Sequence, residues 1–282
     1  MFEINRVTSA LGRTPVRSEP LRGGCIANVF RVEFDNGEKI VVKSSRTGTG
    51  LGLEGEMLKY LGTRSHVPVP EVIFCEDDLL IMTYIESGSP LTPVAEEHAA
   101  DLLADLHGIE TDKFGYEKDT VIASIRQPNL WTDSWIDFFR DYRLVYMAEE
   151  AFKLGQLKKS LRSRLEKLAA NLNQWLIEPT RASLMHGDLW SGNILCKNDR
   201  IVAFVDPAIY YGDPEVELAF STLFGTFGQR FFDRYQEHIP LLPGFFEERR
   251  DIYNLYPLLV HVSLFGGSYA ARLERTLLKF GF

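Results

Sequence analysis

The sequence predicts an α+β protein with two lobes, a small β-rich lobe followed by a large, mainly helical one. Strand-type runs dominate up to about residue 85, and a polar, flexible stretch, Glu-Ser-Gly-Ser-Pro, follows them. From residue 90 onward, apolar residues recur at helical spacing over long segments. We therefore expect an N-terminal lobe over residues 1–85 and a C-terminal lobe over residues 86–282.

Two β-hairpins and one helix are predicted in the first lobe. Strands over 29–34 and 39–43 flank Asp35-Asn36-Gly37, and an Asn-Gly pair accepts the positive φ that a tight hairpin needs. A helix over 51–61 follows and stops before the prolines of residues 66–70. The second hairpin covers 72–85 and turns at Glu76-Asp77-Asp78.

The second lobe is predicted to be built from long helices around one short hairpin. Helical periodicity indicates helices over residues 93–107, 131–146, 157–176 and 245–280. Two short β-type runs, 194–196 and 201–205, lie between the third and the fourth helix.

Composition narrows the class of protein. The chain has 282 residues, 45% of them hydrophobic, so it can bury a large core. Its net charge of −8 repels a phosphate backbone, and we expect no nucleic-acid partner. The first residues hold no apolar signal region and no run reaches membrane-spanning length, so we expect a cytoplasmic protein without a membrane partner. The three cysteines are far apart in sequence, and we expect them to be reduced thiols rather than disulfides.

The first lobe offers a candidate phosphate site. The pair Gly23-Gly24 between strands lets backbone N–H groups approach a polyphosphate, although a plain turn is the favoured interpretation of the pair taken alone. Lys43 ends a β-run and could reach phosphates if a carboxylate held it, although a surface lysine is the simpler interpretation. Glu54 shares a helix face with apolar residues whereas Glu56 does not, so Glu54 is the preferred carboxylate.

A more specific constellation lies in His186-Gly187-Asp188-Leu189-Trp190-Ser191-Gly192-Asn193. Asp188 precedes Asn193 by five residues, and Asp206 follows after the predicted hairpin. Phosphoryl transfer needs a base for the attacking hydroxyl and hard oxygen ligands for Mg²⁺. Asp188 suits the first role, and Asn193 with Asp206 suits the second.

These segments resemble the protein-kinase-like superfamily in its aminoglycoside and choline kinase branch, and more narrowly the fructosamine kinase (ketosamine-3-kinase) family. The resemblance rests on HGDLWSGN and DPAIYYGDPEVELA. It extends through further segments, which are GGCI (23–26), HVPVPEV (66–72), LADLHGIETDKFGY (103–116), QPNLWTDSWIDFFRDYRL (127–144), LPGFFEERRDIYNLY (242–256) and LFGGSY (264–269).

The resemblance implies an ATP- and Mg²⁺-dependent kinase with a two-lobed protein-kinase-like fold. Its acceptor would be the sugar hydroxyl O3 of a ketosamine, free or protein-bound, and the outcome would be deglycation of the amine. Asp188 would be the base, Asn193 and Asp206 would hold the metal, and Lys43 with Glu54 would meet the nucleotide. The backbone of Met82-Thr83-Tyr84-Ile85 would bind adenine.

Three further residues are candidates for acceptor binding. The indole of Trp190 could stack on a sugar or pack in the core. Gln127 and Asn129 are of the type that sugar sites use, or belong to a capped helix start. Two departures from the family stand out, since residues 122–129 lack the glycine common after the isoleucine, and Glu217 replaces the more frequent Asp. We expect Glu217 to support the catalytic loop, and His107 to be a buried helix residue.

Other functions remain open at this point. A kinase for an aminoglycoside or a choline-like amine could use the same loop, but DPAIYYGDPE and Trp190 favour a ketosamine. A nucleotide-binding scaffold would not need Asp188. Cys25, next to Gly24, is a candidate redox-sensitive thiol near the phosphates, or a small buried hydrophobe.

Overall fold

The computed structural model describes residues 4–21, 27–45 and 50–282. The predicted residues Gly23, Gly24 and Cys25 lie outside the described residues. The first part of the chain contains, in order, α1 (Ile4–Leu11), β1 (Arg17–Pro20), β2 (Asn28–Glu33), β3 (Lys39–Ser44), α2 (Leu51–Arg64), β4 (Val72–Glu76) and β5 (Leu79–Thr83).

The five strands form one antiparallel sheet in the order β1-β2-β3-β5-β4. β3 is therefore central, and its register pairs Lys43 with Val29 on one side and Leu80 on the other. Alternation along the strands gives the sheet two apolar faces. One face packs with Val7 of α1, and the other packs with Leu58 of α2. This arrangement fixes the end of β3 next to the first turn of α2.

The remaining chain is mainly helical. It contains α3 (Pro93–His107), β6 (Glu110–Thr111), β7 (Thr120–Ile122), β8 (Ile125–Gln127), α4 (Trp135–Phe138), α5 (Tyr146–Lys153), α6 (Lys159–Ala169), β9 (Ala182–Met185), β10 (Ile194–Lys197), β11 (Arg200–Phe204), β12 (Tyr210–Gly212), α7 (Pro214–Leu223), α8 (Gln229–His238), α9 (Arg250–Tyr253), α10 (Leu255–Phe265) and α11 (Ser268–Lys279). Within the described residues, no helix is both long and apolar enough to cross a bilayer.

Short sheets connect these helices and position the loops between them. β9 lies between β12 and β6 in a three-stranded antiparallel sheet, and β10 pairs with β11. The segment from β9 to β10 therefore leaves one sheet and enters another, and it carries residues 186–193 across the gap between them. The α+β class and the succession of a β-rich part and a helical part are confirmed, whereas the boundary at residue 85 stays a prediction.

Two predicted helices differ from the observed ones. The helix expected over 131–146 begins only at Trp135, because Ser134 is the N-cap and its hydroxyl accepts a hydrogen bond from the Asp137 N–H at 3.1 Å. It continues as a π-helical segment, Phe139–Val145. The helix expected over 245–280 begins as a π-helical segment, Phe245–Arg249, and is interrupted at Gly266 and Gly267, which have φ values of 61° and 55°.

The helix expected over 157–176 is also shorter, since only Lys159–Ala169 is α-helical and Leu172–Gln174 forms a 3-10 turn. Helices α1, α7 and α8 were not predicted at all, and α5 was predicted only at its first residue. α7 had a usable signal, because Asp213 caps its N-terminus and Pro214 occupies its first turn. The sequence of α7 lacks the usual amphipathic pattern, because most of its residues are buried.

The β7–β8 hairpin contains a strained residue. Its two-residue turn is Ala123-Ser124, and Ala123 has a φ of 54°. A positive φ at the first turn position alone is typical of a type II′ turn, in which glycine is preferred. Ala123 therefore occupies a position whose backbone conformation favours glycine, and this is the position after Ile122 at which the family commonly has glycine.

We predict that Ala123→Gly raises the free energy of unfolding by about 0.5–1 kcal/mol. Glycine removes the backbone strain of an alanine with positive φ, which is worth roughly 1–2 kcal/mol. This gain should exceed the free-energy cost of the extra conformational entropy that glycine gives the unfolded chain, roughly 0.5–1 kcal/mol. Urea denaturation of both proteins measures the change. Ser124→Gly is the matched control, since Ser124 has no positive φ and should lose stability. An equal loss in both variants would show that Ala123 is unstrained.

Candidate active site

A cavity of about 430 Å³ lies between the five-stranded sheet and the loops of the helical part. The sheet side contributes Lys43, Glu54 and the segment 82–85, while the other side contributes Asp188, Asn193 and Asp206. The predicted site residues of both parts therefore border one cavity. The described residues that line it are apolar for the most part, with the charged groups grouped near Lys43.

Lys43 is the ionic centre of this cavity. Its ammonium donates a hydrogen bond to Glu54 Oε1 at 2.7 Å and another to Asp206 Oδ1. The side chain of Lys43 is only 8% exposed. Burial alone would lower the pKa of Lys43, but the charges of Glu54 and Asp206 outweigh burial and raise it. The lysine therefore stays charged at any physiological pH.

The pairing of Lys43 distinguishes the two candidate glutamates. Glu54 lies in the first turn of α2 and points toward β3, and burial raises the pKa of its carboxyl group while Lys43 opposes that shift. Glu56 points away and forms a surface ion pair with Lys118. The geometry thus agrees with the choice of Glu54, although its role toward a nucleotide stays a prediction.

Asp206 reaches Lys43 through an unusual backbone. Its φ of 55° is positive, which few residues other than glycine adopt, and its side chain is 42% exposed toward the cavity. The preceding residue, Val205, donates its N–H to the carbonyl of Asn193 at 3.0 Å. The chain around Asp206 is therefore tied directly to the end of the 186–193 loop.

The loop itself is held by close packing at Gly187. Gly187 has a φ of 88°, and a Cβ added there would overlap the carbonyl oxygen of Ala208. The Ala208 N–H in turn donates to the His186 carbonyl at 2.8 Å. Only glycine permits this approach, which places the 186–188 backbone against the segment that follows Asp206.

Glu217 supports the loop from below. Its buried carboxylate accepts hydrogen bonds from the Gly187 N–H at 2.6 Å and the His186 N–H at 3.2 Å. It also contacts His107 Nε2 at 2.8 Å, and the other ring nitrogen of His107 contacts the Tyr235 hydroxyl at 2.7 Å. Burial opposes the charge of Glu217, but these hydrogen bonds and the nearby histidines lower its pKa overall. Glu217 thus supports the loop, and His107 is a buried helix residue, as the sequence predicted for each.

Asp188 occupies the centre of the loop and is partly accessible from the cavity. Asn193 Nδ2 donates to Asp188 Oδ2 at 2.8 Å and to the Asp188 carbonyl at 2.9 Å. Burial raises the pKa of Asp188 to about 7, helped by the charges of Asp206 and Glu217 and opposed by the Asn193 hydrogen bond. Such a carboxyl group binds a proton readily near neutral pH.

The structure corrects the placement of Gln127 and Asn129. Both were expected at the acceptor site, but they are only 0% and 1% exposed and do not line the cavity. Gln127 Nε2 donates to the Thr120 hydroxyl at 2.9 Å and to the Ala208 carbonyl at 3.0 Å, while Asn129 Oδ1 accepts from the buried Arg143 at 2.6 Å. Their side chains serve the fold beneath the site, since no polar atom is left toward the cavity.

Trp190 does line the cavity, and its indole lies edge-on to Phe224 with ring centroids 6.2 Å apart. The opposite end of the cavity is formed by Met82, Thr83, Tyr84 and Ile85, as expected for these four residues. Thr83 is fixed there, because its hydroxyl accepts the Glu71 N–H at 3.0 Å.

Sequence reasoning missed one wall of the cavity. Val260, His261, Leu264 and Phe265 of α10 line the space beside Trp190. The helical periodicity of this region indicated a helix. No local motif shows which face of that helix borders the cavity, because the other cavity residues, such as Trp190, lie about 70 positions earlier in the sequence.

Solved structures give the class of protein. The fold matches a putative fructosamine-3-kinase of Thermobifida fusca with a TM-score of 0.86 and 30% identity, covering 98% of both chains. It also matches a thermostable variant of the aminoglycoside phosphotransferase APH(4)-Ia, solved with ADP and hygromycin B, with a TM-score of 0.69 and 17% identity over 99% of both chains. The fold is thus protein-kinase-like, and the second similarity concerns the fold alone.

The family follows from sequence comparison. The family model described as fructosamine kinase matches residues 3–280, so the chain belongs to the fructosamine kinase family. A probable ketoamine kinase of Synechocystis is 41% identical over 275 residues, covering 90% of this chain and 87% of the relative. The chloroplastic protein-ribulosamine 3-kinase of Oryza sativa is 32% identical over 289 residues, covering 93% and 82%. The chain is an ATP-using phosphotransferase that acts on a sugar hydroxyl.

We predict that Glu217→Gln destabilises the protein by about 2–3 kcal/mol, because the amide would turn N–H groups toward backbone donors in a buried place. The lowered pKa of Glu217 means that its contribution to stability is complete above the unfolded-state value of 4.5 and is lost as pH falls through the folded-state value. The stability difference between wild type and variant should therefore shrink below about pH 4.5.

Thermal unfolding of both proteins between pH 3.5 and 7.5 measures this difference. Glu97→Gln is a suitable control, since Glu97 is a surface residue paired with Arg230. A gap between wild type and Glu217→Gln that stays constant across the whole pH range would contradict an ionised Glu217.

Proposed function

We propose that this enzyme transfers the γ-phosphoryl group of ATP to hydroxyl O3 of a ketosamine, free or protein-bound. Family membership supports the substrate class, and the relatives named as a ketoamine kinase and a ribulosamine 3-kinase support it further. The observation that carries the proposal is the placement of Asp188 in the same cavity as the Lys43–Glu54–Asp206 cluster. A base and a phosphate-binding ammonium thus lie on opposite sides of one space.

The residues present define the proton and bond changes. Asp188 accepts the proton of the attacking hydroxyl, whose oxygen bonds to the γ-phosphorus while the bond to the β-phosphate oxygen breaks and ADP leaves. The carbon that now bears the phosphate lies next to the ketone. Loss of a proton from the carbon that bears the amine gives an enol, which expels the phosphate from the carbon on the other side of the former ketone because phosphate leaves more readily than hydroxide. Water then hydrolyses the resulting imine, which frees the amine and leaves a dicarbonyl sugar. The proposed role is therefore deglycation in the cytoplasm.

The residues fit a magnesium site. Asn193 donates through Nδ2 to Asp188, and among the described residues its Oδ1 has no hydrogen-bond donor, so this oxygen is free to meet a cation. Asp206 supplies a carboxylate from the facing segment. Mg²⁺ uses one or two protein ligands together with phosphate oxygens, and Asn193 and Asp206 would supply such a pair.

Bound Mg²⁺ would neutralise charge on the transferred phosphoryl group. The charges of the described lining residues support a role for a cation there. Three carboxyl groups, those of Glu54, Asp188 and Asp206, share the cavity with the single ammonium of Lys43. This excess of negative charge repels a polyphosphate that arrives without cations.

The acceptor end of the cavity favours a ketosamine over an aminoglycoside. Apart from Asp188, which lies beside Trp190, the described lining residues on the Trp190 side bear no carboxylate. A polycationic acceptor would require acidic side chains there to replace its lost hydration. Trp190 and the neighbouring apolar residues instead offer flat surfaces on which a sugar can stack.

We predict that wild type consumes ATP with lysine-derived fructosamine or ribulosamine and shows no consumption with aminoglycosides or choline. Asp188→Asn should lower kcat by about 10²–10⁴-fold with an unchanged nucleotide Kd, since the amide keeps the shape but cannot accept the proton. Coupled ADP release and nucleotide titration measure both quantities. Turnover of an aminoglycoside at a comparable rate, or more than about a tenth of the rate in Asp188→Asn, would contradict the proposal.

Asp206→Ala should remove most of the Mg²⁺ dependence of nucleotide binding, because one of two protein oxygens for the cation is lost. Titrating Mg²⁺ at a fixed ATP concentration and following bound nucleotide measures this directly. The control is Asp199→Ala, an Asp at the distant β10–β11 turn that interacts with Thr92. The same Mg²⁺ midpoint in wild type and Asp206→Ala would exclude Asp206 as a metal ligand.

A further inference from the structure

His261 presents a defined tautomer toward the cavity. Its Nδ1 lies 2.8 Å from the carbonyl oxygen of Pro257, one helical turn earlier in α10. A carbonyl oxygen only accepts hydrogen bonds, so Nδ1 must bear the hydrogen. In the neutral ring, Nε2 then has a free lone pair and acts as an acceptor.

The surroundings keep the ring neutral. Burial lowers the pKa of His261, and nearby Arg272 lowers it further, whereas the Pro257 carbonyl only partly opposes these effects. The described lining residues on this side place no carboxylate next to the imidazole that would favour its protonation. The acceptor character of Nε2 therefore persists at neutral pH.

Aromatic side chains fix the orientation of the imidazole. The centroid of Phe224 lies 4.9 Å from that of His261, and the centroid of Tyr269 lies 5.0 Å away. Phe265 and Phe220 complete the cluster at 5.8 and 6.3 Å. A side chain confined by four rings and a hydrogen bond loses little further entropy when it binds a partner.

His261 borders the same cavity as Asp188, on the wall that contains Trp190. Phe224 joins the two, since its ring contacts both the indole and the imidazole. Among the described residues, none donates a hydrogen bond to Nε2, and Nε2 is not one of the buried polar atoms lacking a partner. This nitrogen is therefore accessible, on a residue that borders the cavity.

We propose that His261 is an acceptor-specificity residue, whose Nε2 accepts a hydrogen bond from a donor of the ketosamine other than the hydroxyl that is phosphorylated. The donor is either a second sugar hydroxyl or the N–H of the substrate amine. This proposal rests on the proposed function of the site. A rigid acceptor at this place selects the orientation in which the reacting hydroxyl faces Asp188.

The test compares His261→Phe, His261→Gln and wild type. Phenylalanine keeps the ring but removes Nε2, whereas glutamine has an oxygen at the same number of bonds from the backbone. We expect His261→Phe to raise the KM for the ketosamine about tenfold, the worth of one hydrogen bond, with an unchanged KM for ATP. His261→Gln should recover most of this loss. Tyr269→Phe, which keeps the neighbouring ring outside the cavity wall, should match wild type.

Substrate analogues identify the donor. Deoxy analogues at each hydroxyl that is not phosphorylated, and an ether analogue that replaces the amine nitrogen, are assayed with wild type and His261→Phe. The analogue that lacks the true donor should bind to wild type more weakly than the parent ketosamine does. His261→Phe should bind this analogue and the parent ketosamine with the same affinity. If every analogue loses the same affinity with both proteins, Nε2 has no partner in the substrate and the proposal is wrong.

Ketosamine binding measured by calorimetry in the presence of ADP separates this proposal from the proposed function. Binding that weakens about tenfold in His261→Phe supports the role of His261 even if no phosphate is transferred. Equal ketosamine KM and Kd in wild type and His261→Phe, in an active enzyme, would overturn the role of His261 and leave the proposed function intact. Absence of ketosamine binding to wild type would overturn both.

Discussion

The arrangement of the site depends on one buried ammonium. Lys43 brings together the central strand of the sheet, the first turn of α2 and the segment at Asp206, which is 163 residues away in sequence. A buried ammonium without partners would cost several kcal/mol, so the fold is stable only when Glu54 and Asp206 approach it together. The position of Asp206 relative to the sheet is thus fixed by electrostatics as well as by packing.

A second set of contacts fixes the base relative to that ion cluster. Glu217 binds the backbone at His186 and Gly187, and Gln127 binds the carbonyl of Ala208. Gly187 lets these two backbones touch. The loop that contains Asp188 is therefore supported by residues outside the cavity in addition to Asn193, which explains why polar residues such as Gln127 are buried near a site without lining it.

Local signals account for the parts of the fold and site that could be predicted. Asn36-Gly37 marks its hairpin because few other pairs adopt that turn, and the predicted limits of α3, 93–107, match the observed helix. Asp188, Asn193 and Asp206 fall within one short stretch whose residue types suit one chemistry. Gln127 and Asn129 were misplaced, since a polar residue type does not reveal whether its partner is a ligand or Arg143.

Other parts depend on contacts that no local pattern contains. The π-helical segment Phe139–Val145 begins at an aromatic cluster. In this cluster Trp135 packs on Phe138, Phe139 and Tyr253, and Tyr253 lies more than 100 residues later in the sequence. α7 is buried on most sides, so it lacks the polar face that makes a helix recognisable. The wall containing His261 becomes visible only when α10 lies beside the 186–193 loop.

The two ends of the cavity differ in the physics of recognition. Near Lys43, charges are compensated by opposite charges, so this end suits a polyphosphate with its cations. Around His261, aromatic rings from α7, α10 and α11 surround the imidazole, and the guanidinium of Arg272 lies over the ring of Phe224. Burial and the charge of Arg272 disfavour a second positive charge on this wall, so the imidazole stays neutral. Selection of the acceptor must then come from shape and single hydrogen bonds, and additional positive charges on an acceptor gain nothing at this end.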